Sequence, residues 1–125
     1  MTRISKFEEL QCWQRARQLA NVIYDISGVG PFAKDYELRK QIRRSSGSTM
    51  HNIAEGFDAG TDPEFVRFLK YSRRSASEVQ SQLYLALDRN YISEAQLKTA
   101  YNLATETKRL INGLIGYLNK NQRTT

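Results

Sequence analysis

The sequence predicts an all-α protein, an antiparallel up-down-up-down four-helix bundle that forms a single domain over residues 1–125. Apolar residues recur at steps of three and four along four long segments, as one face of an α-helix requires. The chain also has only two prolines and seven glycines, and so few breakers favour long helices over many short strands. Because the connections between the segments are short, we expect sequential helices to pack antiparallel.

The first predicted helix spans residues 8–27. Its apolar residues, among them Leu10, Ala16 and Ile23, recur on one face. The segment from Gly28 to Pro31 ends the helix, because glycine permits a C-terminal cap and proline cannot continue a helix. We therefore expect a loop between the first and second helices.

The second predicted helix spans residues 35–57 and begins at Asp35, a good N-cap residue. Its buried stripe is thin in large side chains, since residues 45–48 are Ser-Ser-Gly-Ser. Small side chains let a neighbouring backbone come close, although the glycine costs about 1 kcal/mol in helix propensity relative to alanine. We therefore expect another helix to pack closely against this segment.

The third and fourth predicted helices, residues 62–89 and 94–119, both open with a capping box. Thr61 with Glu64, and Ser93 with Gln96, have the spacing at which each side chain caps the backbone N–H of the other residue. Small and apolar residues at steps of three and four run through both helices, as in bundle helices. A frayed polar tail is expected from Lys120 onward.

No group of residues in the sequence predicts catalysis, a bound cofactor or a metal site. His51 is the single histidine and lacks the further ligands that a metal requires, and Cys12 is interpreted as a small core residue. We therefore predict no catalytic, cofactor-binding or metal-ligating residues, and a protein that is not an enzyme. The lone cysteine, with no signal-peptide or membrane-spanning stretch, favours a cytoplasmic location.

Two basic clusters are the most informative functional signal in the sequence. The net charge is +6, and the second and third helices each carry a cluster of four basic residues with no acidic residue among them. Such clusters are typical of surfaces that contact phosphates and also occur as solvated faces, so both interpretations stay open. The candidate nucleic-acid-binding residues are Arg39, Lys40, Arg43, Lys70, Arg73 and Arg74.

Part of this charge has an internal alternative. Folding the second and third helices antiparallel places Arg44 level with Glu78, and Arg67 level with Glu55, so ion pairs are expected there. Exposed pairs of this kind contribute only about 0–1 kcal/mol each. The basic residues left over would form one continuous positive surface, made of Arg39, Lys40, Lys70, Arg73 and Arg74.

The seven tyrosines allow two interpretations. Their rings can stack on nucleic-acid bases, or they can line the edge of the core or a subunit contact with the hydroxyl in water. We favour the second interpretation, because it is the commoner role of tyrosine on bundle helices.

The middle of the chain resembles a known family. Residues 41–46, Gln-Ile-Arg-Arg-Ser-Ser, and 52–56, Asn-Ile-Ala-Glu-Gly, are followed by 64–69, Glu-Phe-Val-Arg-Phe-Leu, and by 75–78, Ser-Ala-Ser-Glu. This pattern resembles the four-helix-bundle proteins encoded in intervening sequences of bacterial 23S ribosomal RNA genes. The resemblance covers nearly the whole chain, and the Asn-Ile-Ala-Glu-Gly string is its most specific element.

The resemblance implies a bundle fold and a ring-shaped homo-oligomer, commonly a pentamer, without enzymatic activity. A related branch, the accessory variability proteins of diversity-generating retroelements, works with a reverse transcriptase and RNA. We expect the family's motif residues to be mostly structural or at an interface, with Asn52 and Glu55 near a packed seam where they need a hydrogen-bonding partner. The motif residues are Arg44, Asn52, Glu55, Gly56, Phe65, Phe68, Ser75 and Glu78.

Two functional hypotheses follow. The first is a non-enzymatic, nucleic-acid-binding homo-oligomer that contacts the phosphates of structured RNA through the basic surface on the second and third helices. The second is a protein-interaction scaffold, for example an accessory subunit for a reverse transcriptase or another RNA-handling partner. No membrane partner is expected.

Overall fold

The structure is a computed structural model and describes residues 4–121. Within this range every regular element is helical and no strand occurs, so the predicted all-α class is confirmed. A short 3-10 turn precedes the first α-helix. The elements are the 3-10 turn Phe7–Glu9 and the helices α1 Gln11–Ser27, α2 Gly30–Lys34, α3 Tyr36–Phe57, α4 Asp62–Asp88 and α5 Glu94–Lys120. Lys120 is the last residue of α5, so the predicted tail begins later than expected, and residues 122–125 lie outside the described range.

The four long helices α1, α3, α4 and α5 make extensive contacts with one another. Helix α3 contacts α1 and α4, and α5 also contacts α1 and α4, so each long helix packs against two others. None of the described helices has the length and apolar character that a membrane crossing needs.

The core divides into two apolar clusters separated by a waist of small residues. One cluster includes Leu19, Phe32 and Leu83, and the other includes Ile53 and Ile111. Between them α3, α4 and α5 contribute small buried side chains with no exposed surface. These waist residues are Ser46, Thr49, Ser72, Ala76 and Thr107.

The waist brings α3 and α4 close together, which confirms the close packing predicted from residues 45–48. The Ser72 hydroxyl donates a hydrogen bond directly to the backbone carbonyl oxygen of Thr49 on the neighbouring helix. Near the end of the same contact, a Cβ atom added to Gly56 would lie 2.7 Å from Cβ of Phe68 and 3.0 Å from Cδ1 of Phe65. Glycine is therefore required at position 56 by the approach of α4.

All three predicted N-cap residues accept a backbone hydrogen bond, and one of the two predicted capping boxes is complete. The Asp35 carboxylate accepts a hydrogen bond of 3.1 Å from the backbone N–H of Leu38, and Ser93 and Gln96 cap each other reciprocally. At the start of α4 only half of the capping box forms. Thr61 accepts from the Glu64 backbone, while the Glu64 side chain binds Arg67 instead.

The structure differs from the predicted helix boundaries at two places. The first helix begins at Gln11 and not at residue 8, because Leu10 is extended and only a 3-10 turn precedes it. The expected loop after α1 contains the short helix α2. Pro31 suits the first turn of that helix, and its fully buried Phe32 stacks on Tyr91 with 5.3 Å between ring centroids.

Candidate functional site

An open groove of about 860 Å³ runs along the outward side of α3. We call it the α3 groove. Four basic side chains and two tyrosines line its first part. They are Arg39, Lys40, Arg43 and Arg44, with Tyr24 and Tyr36. The remaining lining residues are Gly47, Ser48, His51, Asn52 and Glu55.

Arg43 holds α3 to the end of α1. Its Nε donates a hydrogen bond of 2.9 Å to Oγ of Ser27, and its Nη2 donates one of 3.1 Å to the carbonyl oxygen of Tyr24. The guanidinium also lies 4.4 Å from the centroid of the Tyr24 ring. Carbonyls in the last turn of a helix lack a partner within the helix, so a cation here satisfies one of them and complements the helix dipole.

Arg39 makes a similar contact with α2. Its Nη1 donates a hydrogen bond of 2.7 Å to the carbonyl oxygen of Ala33, in the last turn of that helix. Its guanidinium lies 4.9 Å from the centroid of the Tyr36 ring. Both Arg39 and Arg43 are half-buried and line the groove while they are bonded to the fold.

Lys40 and Arg44 are the exposed basic residues of the α3 groove. Neither makes a hydrogen bond or an ion pair with any residue between 4 and 121. The predicted ion pair between Arg44 and Glu78 is therefore wrong for the described part of this chain. Arg44 and Glu78 instead line a common depression of about 360 Å³ between α3 and α4, which Gln82 also lines.

The basic residues of α4 have different surroundings. The Arg67 guanidinium binds Glu64 through two hydrogen bonds of 2.8 and 3.1 Å, and it donates to the Tyr71 hydroxyl. The predicted ion pair of Arg67 with Glu55 is therefore wrong, because the carboxylate of Glu64, one turn away on the same helix, is nearer. The Arg67 contact lowers the pKa of the Glu64 carboxyl below its ordinary value.

The basic residues predicted to form one positive surface across both helices do not all line the α3 groove. Arg73 donates a hydrogen bond of 2.7 Å to Oδ1 of Asn112 on α5. Helix α5 packs against α1 and α4 and not against α3, so this contact directs Arg73 away from the α3 groove. The Arg74 guanidinium lies 5.7 Å from the centroid of the Tyr71 ring, and Lys70 is exposed. None of these three side chains lines the α3 groove, so the three candidates on α3 come together and the three on α4 do not join them.

The motif residues between α3 and α4 form a chain of hydrogen bonds. The Asn52 amide donates to the backbone oxygen and the hydroxyl of Ser48, both at 2.9 Å, and the Ser75 hydroxyl donates to that of Ser48 at 3.1 Å. The expected partner for Asn52 is thus confirmed. Glu55 was expected at the same seam, but it is exposed and lines the far end of the α3 groove.

The aromatic motif residues Phe65 and Phe68 pack as predicted, although to different degrees. Phe65 is buried and Phe68 is half-buried, and both contact the backbone of α3 around Gly56. They are structural residues of the α3–α4 contact.

The two residues with reactive side chains differ in their exposure. Burial raises the pKa of the Cys12 thiol to about 11, which disfavours the nucleophilic thiolate at neutral pH. His51 is exposed on the α3 groove. Among residues 4–121 no three histidine, cysteine, aspartate or glutamate side chains are grouped as a metal ion would require.

The exposure of two tyrosines on the groove was not predicted from the sequence. Tyr36 and Tyr24 have 69% and 50% of their surface exposed, so they do not line the core edge, and a subunit contact stays a prediction for them. The expected place at the core edge holds for Tyr91 and Tyr101, which pack partly buried against the core. The spacing of Tyr36, Arg39 and Arg43 offered a local signal, since steps of three and four place one aromatic and two basic residues on one side of the helix.

Comparison with known proteins identifies the relatives of this fold. The sequence model of the family described as 23S rRNA-intervening sequence protein matches residues 8–113. A crystal structure of a protein of unknown function from the S23 ribosomal protein family of Bacteroides thetaiotaomicron aligns with a TM-score of 0.77 and 24% sequence identity. The alignment covers 84% of this chain and 95% of that one, and it is a likeness of fold. No curated protein matches the sequence significantly.

Proposed function

The chain belongs to the family of 23S rRNA-intervening sequence proteins, and we propose that it is a non-enzymatic protein that binds RNA phosphates through the α3 groove. The observation that supports this proposal is the placement of Lys40 and Arg44. Both are exposed, both lie on one groove with two further arginines, and neither is neutralised by a carboxylate of the described chain. Phosphates supply the missing counter-charges.

The half-buried arginines support the same function. Arg39 and Arg43 are held in place by hydrogen bonds to α2 and α1, so they add positive potential to the groove without free side-chain motion. A preorganised cation loses less conformational entropy when a ligand binds. Contacts to phosphates carry no sequence information, so we expect weak sequence preference and a steep dependence on salt.

For the architecture we infer an antiparallel up-down-up-down bundle. The supporting observation is the register of side-chain contacts between α4 and α5. Ser77 contacts Lys108 and Arg73 contacts Asn112, so residue numbers fall along one helix as they rise along the other. We propose further that the bundles assemble into a homo-oligomer, a pentameric ring as the resemblance implies, and that the protein acts in the cytoplasm. Light scattering of the purified chain would measure the number of subunits.

The proposed function is tested by RNA binding across a salt series from about 50 to about 200 mM. The test variant combines Lys40→Glu with Arg44→Glu, and the matched control combines Lys70→Glu with Arg74→Glu, which makes the same change in net charge on α4. We expect the test variant to lose about tenfold or more in affinity and to show a shallower salt dependence, because each lost phosphate contact lowers the slope by about one.

The control variant should lose much less affinity, since Lys70 and Arg74 do not line the groove. Equal losses in the two variants would mean that net charge and not the groove governs binding. No RNA binding by the unchanged protein at the lowest salt would reject the proposal.

A protein-interaction scaffold is the second candidate. A depression of about 650 Å³ at the end of the molecule where α3 leads into α4 supports it, because its lining includes the apolar residues Ile4, Phe57, Leu114 and the half-exposed Tyr117. Such a surface suits a protein partner better than a phosphate. Association with a purified reverse transcriptase that survives nuclease treatment would favour this candidate over RNA binding.

A further inference from the structure

Two exposed tyrosine rings lie beside the free charges of the α3 groove. Tyr36 has 69% of its surface exposed and Tyr24 has 50%, although each has an arginine guanidinium over its ring. A ring covered on one side by a cation and open to solvent on the remainder presents a flat apolar surface that water solvates poorly. Flat apolar surfaces of this kind accept the face of a nucleic-acid base.

The guanidinium contacts also fix these rings. Arg39 lies 4.9 Å from the Tyr36 centroid and is anchored by its hydrogen bond to Ala33, while Arg43 lies 4.4 Å from the Tyr24 centroid and is anchored to Ser27. A ring that rests on an anchored cation samples fewer orientations than a free surface tyrosine. Stacking a base on it therefore costs less conformational entropy.

The order of residues along α3 suits a single strand. Tyr36, Lys40 and Arg44 follow each other at intervals of four residues, which is about 6 Å along the helix axis. This interval is comparable to the separation of neighbouring phosphates along one nucleic-acid strand. One ring followed by two cations can thus contact one base and the next phosphates of the same strand. At the far end the exposed carboxylate of Glu55 repels phosphates, which limits the track to a short segment.

From these observations we infer that the α3 groove selects unpaired nucleotides, such as an RNA loop, by stacking a base on Tyr36 and by holding the adjoining phosphates on Lys40 and Arg44. This inference rests on the proposed function and adds the class of ligand. A duplex offers the same phosphates, but its bases are stacked on each other and cannot stack on a protein ring. Because every base has a flat face, the selection depends on pairing and little on sequence.

The experiment compares two RNAs with the same stem, one closed by a short unpaired loop and one a blunt duplex, by fluorescence anisotropy at one salt concentration. We expect the unchanged protein to bind the loop RNA about tenfold more tightly. Tyr36→Ala should remove this preference by lowering the affinity for the loop RNA about tenfold. Tyr36→Phe should retain the preference, because the ring remains.

Two further variants separate the possible failures. Tyr117→Ala removes a tyrosine of similar exposure at the other end of the molecule and should leave the preference intact. The variant with Lys40→Glu and Arg44→Glu should lose affinity for both RNAs. Circular dichroism of Tyr36→Ala should match the unchanged protein, since an exposed ring contributes little to folding.

Equal binding of the two RNAs, or a loop preference that survives Tyr36→Ala, would overturn the inference. If the variant with Lys40→Glu and Arg44→Glu still lost affinity for both RNAs, the proposed function would stand and only this inference would fail. Failure of the unchanged protein to bind either RNA would reject both.

Discussion

Helices α3 and α4 each carry four basic residues with no acidic residue among them, but the two sets have different surroundings in the folded protein. On α3, two arginines bind the carbonyl ends of α1 and α2, and Lys40 and Arg44 remain exposed on one groove. On α4, Arg67 binds a carboxylate, Arg73 a neighbouring helix and Arg74 a tyrosine ring, while Lys70 is exposed. The neighbours of a helix, and not its own charge count, decide whether a basic cluster becomes a common surface.

The contact that sets α3 beside α4 can be broken at Gly56. In Gly56→Ala the new methyl group would lie 2.7 Å from Cβ of Phe68 and 3.3 Å from the backbone oxygen of Phe65, and neither atom can swing away. We expect a loss of about 1–3 kcal/mol in the free energy of unfolding, measured by urea denaturation.

Gly47→Ala is the matched control on the same helix. Its added Cβ would meet only the His51 ring at 3.7 Å, an ordinary contact. This variant should therefore gain about 0.5–1 kcal/mol from helix propensity. A Gly56→Ala protein as stable as Gly47→Ala would show that α3 and α4 tolerate a wider separation than the structure indicates.

The difference between the two arginine sets is sharpened by comparing Arg43→Ala with Arg73→Ala. The first change leaves the Tyr24 carbonyl without its cation and removes the donor to the fully buried Ser27 hydroxyl, which lowers the free energy of unfolding by about 1–3 kcal/mol. The second removes one exposed hydrogen bond to Asn112 and should change stability by about 0.5 kcal/mol or less.

Chemical denaturation of both variants measures this difference. Arg43→Lys should fall between the unchanged protein and Arg43→Ala, because a lysine keeps the charge but lacks the planar fork that reaches two oxygens. Similar losses in the free energy of unfolding for Arg43→Ala and Arg73→Ala would contradict this difference between the arginines of the two helices.

The smallest expected effect is the pH dependence of the Glu64–Arg67 pair. Arg67 lowers the folded-state pKa of the Glu64 carboxyl below its ordinary value of 4.5. The pair therefore stabilises the fold above that value, and the stabilisation is lost as the pH falls through the lowered pKa. We expect Glu64→Gln to unfold at slightly lower denaturant concentration than the unchanged protein at neutral pH.

At strongly acidic pH the two proteins should unfold at the same denaturant concentration, because Glu64 is then protonated in both the folded and the unfolded state. The difference should be small even at neutral pH, since both side chains are exposed and water screens their charges. A difference that persists in acid would assign the effect of the substitution to something other than this ion pair.

Local signals in the sequence predicted most of the fold. The positions of the four long helices and the caps at Asp35 and Ser93 depend on residues within one or two turns, and the structure confirms them. Helix α2 was not predicted, because five residues carry no periodic pattern and its place depends on burying Phe32 against a distant tyrosine. The break at Leu10 has the same origin in tertiary packing.

The site was less predictable, because it depends on which elements meet. The sequence indicated the basic residues of α3, but not that Arg39 and Arg43 reach the carbonyl ends of α1 and α2. The register of two helices predicted Glu55 as the partner of Arg67. In the structure Arg67 binds Glu64, which is nearer because it lies one turn away on the same helix. Whether the residues of the groove bind nucleic acid stays a prediction.

The small residues at the waist have a consequence for how this sequence can change over evolutionary time. Each apolar cluster can absorb an exchange of one aliphatic residue for another within its own end of the molecule. The waist has no such freedom, since Ser46, Thr49, Ser72 and Thr107 have no exposed surface and any larger side chain would push helices apart. The two ends of the protein can therefore drift independently in sequence, while the layer that joins them is held to residues of nearly fixed volume.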